Sequence, residues 1–290
     1  MTIKRLTFWT IFTSFLAMAF LAVVPAFAAD TAGEVIGLAK NWQYGFQPPG
    51  SPMKEKMEHF HNDLLVPLIT VISIFVMCLL LYVIVRFNKR ANPVPSKTTH
   101  NTMLEVVWTL VPVIILVILV VPSMKLLYYV DRTTEAEMTL NITGHQWYWG
   151  YDYPDHGEIS FLSNLVPDAE IDESKGQVRL LSTDNPVVLP VDTNIRLMLT
   201  ASDVLHAWAI PSFGVKLDAV PGRHNETWVR IDKPGVYFGQ CSELCGDGHG
   251  FMPIEVHAVS QEIFAQWVKE QGGKMPEKLA KAGEEAAGKE

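Results

Sequence analysis

The segment Cys241-Ser-Glu-Leu-Cys245-Gly-Asp-Gly-His249-Gly-Phe-Met252 carries two thiols, an imidazole, a thioether and a carboxylate. This set of soft donors suits copper better than zinc, magnesium or calcium. A mononuclear copper site needs only one cysteine with histidine and a weak methionine, whereas two thiolates can bridge two copper ions. The alternatives are a disulfide or redox pair and a structural zinc site, but neither gives His249 and Met252 a role.

A dinuclear centre also needs a second terminal imidazole. His206 lies in the apolar, strand-like run Val204-Leu-His-Ala-Trp-Ala-Ile210. A lone histidine in such a run is usually a core residue, but the presence of the cysteine loop leads us to interpret it as a metal ligand.

The region that contains both features, Val130 to Val259, consists of short alternating or β-branched runs separated by turn signals such as Lys233-Pro-Gly235. Five of these runs read as strands: Met138–Thr143, Ile195–Thr200, Glu226–Ile231, Val236–Gly239 and Ile254–Val259. The pattern predicts a compact all-β sandwich or barrel, with the cysteine loop joining the last two strands.

Two long apolar runs precede this region. Leu64 to Val85 is 22 residues without a formal charge, and a second run follows from Val106 to about Leu127. A helix rising 1.5 Å per residue crosses a hydrocarbon core of about 30 Å in about 20 residues. We therefore predict transmembrane helices at 64–87 and 103–128, joined by a loop at 88–102. The stretch from Arg86 to Lys97 has four basic residues, and no acid occurs before Glu105, so the positive-inside rule places this connection in the cytoplasm and the β region at 130–260 outside.

The two ends of the chain read differently. Residues 1–28 combine Lys4 and Arg5, an apolar stretch and an Ala-x-Ala pattern, which predicts a secretory signal peptide, with an uncleaved anchor as the alternative. Residues 29–63 are predicted to form an N-terminal segment on the outer face. Residues 261–290 are expected to form a short amphipathic helix and a charged tail without a core.

At every ligand position the cysteine loop resembles the dinuclear copper (CuA) signature of cytochrome c oxidase subunit II. The resemblance implies a two-helix transmembrane hairpin followed by a cupredoxin-like Greek-key barrel. It also implies a set of ligands for two copper ions: bridging Cys241 and Cys245, terminal His206 and His249, a weak axial Met252 and the backbone carbonyl of Glu243. The Glu243 side chain would help to hold a magnesium or manganese ion against the catalytic subunit, with a solvated loop carboxylate as the alternative.

The same resemblance implies a function. The chain would take electrons from cytochrome c and pass them to a haem of the haem-copper catalytic subunit I, supporting oxygen reduction and proton pumping in a bacterial plasma membrane. Five aromatic rings lie in the seven residues from Trp147 to Tyr153. Some of these rings are expected to shield the metal from water, and Trp147 matches the tryptophan through which cytochrome c delivers its electron.

Between Val130 and Val259 there are 19 acidic and 8 basic residues, a formal charge of −11. Such a domain attracts a basic partner such as cytochrome c, and we expect no nucleic acid partner. The candidate docking acids flank the aromatic run or the ligand strand: Asp152, Asp155, Glu158, Asp184 and Asp203. For each of them a generally solvated surface position is the alternative.

Glu105 stands at the cytoplasmic start of the second span, where a carboxylate is costly unless it is partnered or used. Thr102-Met-Leu-Glu105 has the pattern of a capping box. The family resemblance implies instead that Glu105 is the mouth of a proton pathway into the catalytic subunit.

Two rival functions share parts of this pattern. A quinol oxidase subunit II has the same architecture but lacks the copper ligands. A membrane-tethered copper chaperone also uses Cys-x-x-x-Cys, but on a thioredoxin-like fold with a βαβ pattern, which this sequence does not show.

Overall fold

The structure is a computed structural model that describes residues 34–131, 135–157 and 159–276. The predicted signal peptide, the docking candidate Glu158 and the tail beyond residue 276 lie outside the described residues.

A continuous helical segment runs from Pro52 to Arg86. It comprises helix α1 (Pro52–His59), a π-helical turn (Phe60–Leu65) and helix α2 (Val66–Arg86). Pro67 cannot donate a backbone hydrogen bond, and the turn before it is widened, so that the Val66 N–H reaches the His61 carbonyl.

This helix begins twelve residues before the uncharged run at Leu64, because the sequence supplies a strong start signal there. The Ser51 hydroxyl accepts the Lys54 N–H at 3.0 Å, and Pro52 occupies the first helical position. The additional turns lie outside the predicted span and contact the β domain.

The second long helix, α3, spans Thr102–Val130. Its N-cap is Asn101, whose side-chain oxygen accepts the Leu104 N–H at 3.1 Å. The capping box considered as the alternative role of Thr102 and Glu105 is therefore not formed, since the helix begins at Thr102 and the Glu105 N–H donates to the Asn101 carbonyl. Both long helices are apolar and long enough to span a membrane.

The described residues of the β domain form two sheets and a ribbon. The first sheet has the order β1 (Val35–Gly37), β10 (Gly235–Gln240), β11 (Pro253–Val259) and β5 (Val187–Pro190). The second has the order β4 (Ile159–Ser163), β3 (Tyr148–Tyr153), β2 (Met138–His145), β6 (Ile195–Ala201) and β9 (Asn225–Val229). The ribbon pairs β7 (His206–Ile210) with β8 (Val215–Ala219).

Alternate residues of the strands fill one core that both sheets share. In β2 the inward-pointing residues are Met138, Leu140 and Ile142, and the residues that alternate with them along the strand are half-exposed. This period of two is the signal that made β2 and β6 predictable. The largest buried side chains, Trp149 and Trp208, lie in the same core.

Three short elements from outside the predicted β region also join this core. β1 pairs in parallel with β10, opposite Val236. Met53 of α1 is buried, as are Phe264 and Val268 of helix α4 (Gln261–Glu270). On sequence alone these elements fall in separate terminal segments, because a three-residue strand shows no periodicity and a short amphipathic helix does not reveal its partner.

Candidate metal centre

The cysteine loop is held at both ends by the first sheet. Cys241 directly follows β10 and Met252 directly precedes β11, and these strands pair up to Gln240 and Pro253. The Cys241 N–H donates to the Met252 carbonyl at 3.3 Å, closing the base of the loop. The Ser242 N–H donates to the Ala207 carbonyl at 3.0 Å, which ties the loop to β7. The sheet therefore fixes the backbone on which the donors stand.

The donor atoms converge inside this loop. The Sγ atoms of Cys241 and Cys245 are 3.9 Å apart, and both thiols are free. The Cys241 Sγ lies 3.9 Å from His206 Nδ1, and the Cys245 Sγ lies 3.7 Å from His249 Nδ1. Met252 Sδ is 3.5 Å from the Cys245 Sγ. Each thiol thus has one imidazole beside it, and one of them also has the thioether.

These distances fit a shared metal. Donors that bind one tetrahedral ion at about 2.0–2.3 Å lie roughly 3.3–3.8 Å apart. The distances of 3.3 Å from the Glu243 carbonyl oxygen to the Cys241 Sγ, 3.5 Å and 3.7 Å fall in this range, and the two distances of 3.9 Å lie just above it. His206, Cys241 and Cys245 form a buried group whose donor atoms all lie within 4.8 Å of one another.

Electrostatics favour the same interpretation. Burial, followed by the neighbouring Cys241 thiol, raises the pKa of the Cys245 thiol well above its usual value. Two thiolates in such a site need compensating positive charge, and metal binding both supplies that charge and deprotonates the thiols.

The two ring nitrogens of His206 have different partners. Nε2 lies 2.9 Å from Asp203 Oδ1, whereas Nδ1 faces Cys241. Burial alone raises the pKa of the Asp203 carboxyl, but hydrogen bonds from His206 and from the N–H groups of Val204 and Gln146 outweigh it, so that the pKa is lowered. The ionised Asp203 therefore favours a proton on Nε2 and leaves Nδ1 free to bind a metal.

The Trp147 side chain lies against the loop and is 37% exposed. Its indole N–H donates to the Cys245 carbonyl at 3.1 Å. A Cβ atom at Gly248 would lie 2.3 Å from the Trp147 ring, so this close approach requires glycine. A half-exposed aromatic ring is thus hydrogen-bonded directly to a cysteine of the cluster.

Comparison with known proteins decides the family. Residues 138–259 match the family model described as the periplasmic domain of cytochrome c oxidase subunit II, and residues 39–126 match the model of its transmembrane domain. The chain belongs to the cytochrome c oxidase subunit II family. The predicted fold class is confirmed, with two apolar helices followed by a cupredoxin-like β domain.

Individual relatives agree with this result. The chain is 51% identical over 227 residues to the probable cytochrome c oxidase subunit 2 of Rickettsia bellii, covering 78% of this chain and 83% of the relative. It is 45% identical over 236 residues to the subunit 2 of Chondrus crispus, covering 80% and 92%. The crystal structure of the periplasmic domain of the Bradyrhizobium japonicum subunit II is 47% identical, with a TM-score of 0.45, and covers 49% of this chain and 97% of that one.

As a member of the subunit II family, the chain is a membrane-anchored component of an oxidoreductase complex. Its β domain is the copper-binding domain of that family, and His206, Cys241 and Cys245 form a group able to hold the metal.

The docking candidates do not all lie near Trp147. Asp203 is adjacent to it, because Asp203 Oδ2 accepts the Gln146 N–H at 2.7 Å. Asp184 lies at the same end of the second sheet, where it accepts the backbone N–H of Asn164, the residue that follows β4. Asp152 lies on β3 and pairs with Asn141, about 10 Å along the strand from Trp149.

Asp155 lies at the other end of the second sheet. Its carboxylate accepts the Thr139 N–H at 2.6 Å, at the start of β2. His145, at the end of β2 near the metal cluster, is six residues away, roughly 20 Å along the strand. This position separates Asp155 from the Trp147 surface.

The carboxylates of Glu243 and Glu105 have no hydrogen bond or ion pair among the described residues. Glu243 lies in the cysteine loop and is half-buried. Glu105 lies in the first turn of α3, and its backbone carbonyl accepts the Thr109 hydroxyl at 2.9 Å. Neither carboxylate is therefore engaged within the described part of the chain.

Sequence reasoning missed several residues that shape the centre. The Gln146 side chain donates to the Cys245 carbonyl at 2.8 Å, beside the Trp147 indole. A Cβ atom at Gly144 would lie 2.7 Å from the His206 ring. Gly248, which precedes the proposed ligand His249 in the sequence, was a signal for such a close approach, whereas nothing in the sequence indicated the roles of Gly144 and Gln146.

Proposed function

We propose that this chain is the electron-accepting subunit of a respiratory oxidase. In this proposal it takes electrons from cytochrome c at a dinuclear copper centre and passes them to the haem of the catalytic subunit I, supporting oxygen reduction to water and proton pumping. The observation that supports it best is the pair of buried thiols 3.9 Å apart, each with an imidazole nitrogen beside it.

The proposed copper centre supplies one-electron redox chemistry when it is bound. The chain's own residues would hold it as follows: bridging Cys241 and Cys245, terminal His206 and His249, weak axial Met252 and the carbonyl of Glu243. A second thiolate and a second imidazole are more than a single copper ion needs, and the donors occur in pairs. This pairing favours two ions over one.

The second role of the chain is to keep the ligands in place. Both ends of the cysteine loop are fixed by β10 and β11, and His206 is held by Asp203. Cys241, Cys245 and Met252 are all buried. A rigid and water-poor site changes little between redox states, which favours fast electron transfer.

Trp147 is proposed as the place where the electron enters. Its ring is partly exposed, and its indole N–H donates to the carbonyl of Cys245. The acids proposed to dock cytochrome c around it are Asp203, Asp184 and Asp152. The position of Asp155 weighs against its inclusion.

Two further assignments concern the catalytic subunit. Glu243 would contribute its carbonyl to copper and its carboxylate to a magnesium or manganese ion shared with that subunit. Glu105 would form the entrance of a proton pathway on the side of the membrane where the basic loop lies. Four basic residues between Arg86 and Lys97 favour a cytoplasmic location for that loop, and the β domain would then face the periplasm of a bacterial plasma membrane.

The function is tested by mixing the purified oxidase complex with reduced cytochrome c. Oxidation of the cytochrome is followed together with the loss of copper absorption that accompanies reduction of the copper centre. We expect two copper ions in addition to the copper of the catalytic subunit, and electron uptake at the copper centre before any haem is reduced. A complex with only one additional copper ion, or one in which the haem is reduced first, would contradict the proposal.

The shared ion is tested with Glu243→Gln in the complex. The substitution keeps the backbone carbonyl, so the copper absorption should persist, while bound magnesium or manganese should be lost in elemental analysis. Unchanged magnesium and manganese would show that Glu243 is a solvated carboxylate.

A further inference from the structure

A cavity of about 390 Å³ lies between the two long helices, at the end where they meet the β domain. The first helical segment contributes Lys56, Phe60 and Leu64. The second, α3, contributes Pro122, Lys125 and Leu126. The cavity is open on one side and is not part of the metal centre.

The mouth of this cavity is basic. Two lysines line it, and none of its lining residues is acidic. Lys56 lies 4.7 Å above the Tyr129 ring, and among the described residues neither Lys56 nor Lys125 has a carboxylate within ion-pair distance. By contrast, the neighbouring Lys54 is paired with Glu58 at 3.7 Å. Two unpaired ammonium groups on one cavity in an otherwise acidic chain favour an anionic ligand.

The floor of the cavity is apolar. Phe60 and Leu64 on one side and Pro122 and Leu126 on the other are half-buried, whereas most of their helical neighbours are exposed. Leu64 is also the first residue of the uncharged run that crosses the membrane. A charged mouth at the membrane boundary and an apolar floor leading into the hydrocarbon layer match a molecule with an anionic head and an acyl chain.

We propose that this cavity binds one anionic phospholipid from the leaflet on the β-domain side. Lys56 and Lys125 contact its phosphate, and one acyl chain lies against Leu64 and Leu126. A free phosphate ion would use the two lysines but leave the apolar floor uncovered, so the lipid explains both halves of the cavity. The bound lipid would fill the space between the helices where they enter the membrane.

The test counts lipids that remain bound to the full oxidase complex. The complex is purified in mild detergent, and its anionic phospholipids are quantified by mass spectrometry for the native chain and for Lys56→Gln, Lys125→Gln and the double variant. Lys89→Gln is the matched control, since it removes the same charge near the opposite membrane surface. Leu126→Trp keeps both lysines but fills the floor.

We expect the native complex to retain one anionic lipid more than the double variant. Each single lysine substitution should weaken its retention about five-fold. Leu126→Trp should also release the lipid, and Lys89→Gln should not. The proposal would be overturned by equal retention in all variants or by the absence of retained lipid in the native complex. Displacement of the lipid by inorganic phosphate alone would also overturn it, because it would show a simple anion site. A crosslink from the cavity to a side chain of another subunit in the native complex would equally overturn it.

Discussion

At the scale of single residues, Met252 is the donor whose removal should disturb the centre least. Its thioether lies 3.5 Å from the Cys245 Sγ, and its side chain is buried. Met252→Leu conserves volume and removes only a weak axial donor, which tunes the potential of a copper site more than it holds the metal. We expect copper content to be unchanged and the redox potential to shift. Loss of copper in elemental analysis of the variant would show that Met252 is a structural ligand.

Trp147 separates electron transfer from docking. Trp147→Ala removes both the ring and its hydrogen bond to the Cys245 carbonyl. We expect the electron transfer rate within the bound cytochrome c complex to fall severely, while the dissociation constant changes little. A variant that binds cytochrome c more weakly but transfers electrons at the native rate would reverse these roles.

The docking acids should behave in the opposite way. Asp152→Asn should weaken cytochrome c binding by about two- to five-fold and flatten its salt dependence, as expected for a half-buried charge near the surface. Asp155→Asn is the control, because it removes the same charge at the far end of the sheet. Equal effects of the two substitutions would indicate general charge attraction without a defined patch.

Asp203 should combine both effects. Its carboxylate lies near Trp147 and also bonds His206 Nε2. The sequence indicated only the first role, because charge patterning shows where an acid occurs but not which side chain it orients. Asp203→Asn should therefore weaken docking and also change the absorption of the copper centre, whereas Asp152→Asn should leave the absorption unchanged.

At the scale of secondary structure elements, regular periodicity decided what could be predicted. The five strands proposed from alternation correspond to β2, β6, β9, β10 and β11, and the cysteine loop joins the last two of them as expected. β7 is buried throughout, so no alternation marked its limits. β1 and α1 join the β domain through tertiary contacts between segments far apart in sequence, which local patterns do not report.

The start of α3 also shows how far local sequence patterns can predict structure. Thr102 and Glu105 have the spacing of a capping box, but Asn101 is an equally good cap one residue earlier and is used instead. This removes the structural alternative that the sequence offered for the Glu105 side chain. The donor types of the metal centre were predictable from one loop, whereas Gln146 and the Asp203 bond depended on the fold.

We therefore predict that Glu105→Gln assembles normally, keeps its copper absorption and accepts electrons from cytochrome c, but turns over slowly with impaired haem reduction in the catalytic subunit. The reason is that glutamine cannot release a proton. Asn101→Ala is the control for helix stability and should cost about 1 kcal/mol through the lost cap. Native turnover in Glu105→Gln would exclude the proton role.

Helix α4 should make the β domain sensitive to acid. Its Phe264 ring lies 5.1 Å from the fully buried ring of His156, whose nitrogens have no hydrogen-bond partner among the described residues. Burial lowers the pKa of His156 from its ordinary value of 6.5, and the carboxylate of Asp155 opposes this only in part. The folded state therefore disfavours the protonated His156 ring. The stability that the neutral ring contributes is complete above about pH 6.5, the ordinary pKa of histidine, and is lost as the pH falls below it.

We expect the thermal midpoint of the native chain to fall between about pH 7 and pH 5, and His156→Phe to flatten this dependence. His224→Gln, which changes an exposed histidine, is the control and should follow the native curve. If His156→Phe loses stability in parallel with the native chain, another group is responsible.

At the scale of the whole molecule, the first spanning helix is joined directly to the copper-binding domain. The Ser51 hydroxyl donates to the Phe213 carbonyl at 2.6 Å, and the Asp232 N–H donates to the Gly50 carbonyl at 3.1 Å. Met53, in the first turn of α1, is buried in the core of the domain. These contacts hold the β domain that carries the cysteine loop in a defined position with respect to the helix. Electron transfer to a fixed acceptor in another subunit would need such a defined position.

In the proposed centre, two cysteines would bridge two copper ions that share one unpaired electron. The most direct measurement is the electron paramagnetic resonance spectrum of the oxidised, copper-loaded full chain, compared with that of Cys241→Ser. We predict hyperfine splitting from two equivalent copper nuclei in the native chain and loss of that pattern in the variant. A spectrum of a single copper nucleus in the native chain, or the shared pattern surviving in Cys241→Ser, would contradict the claim.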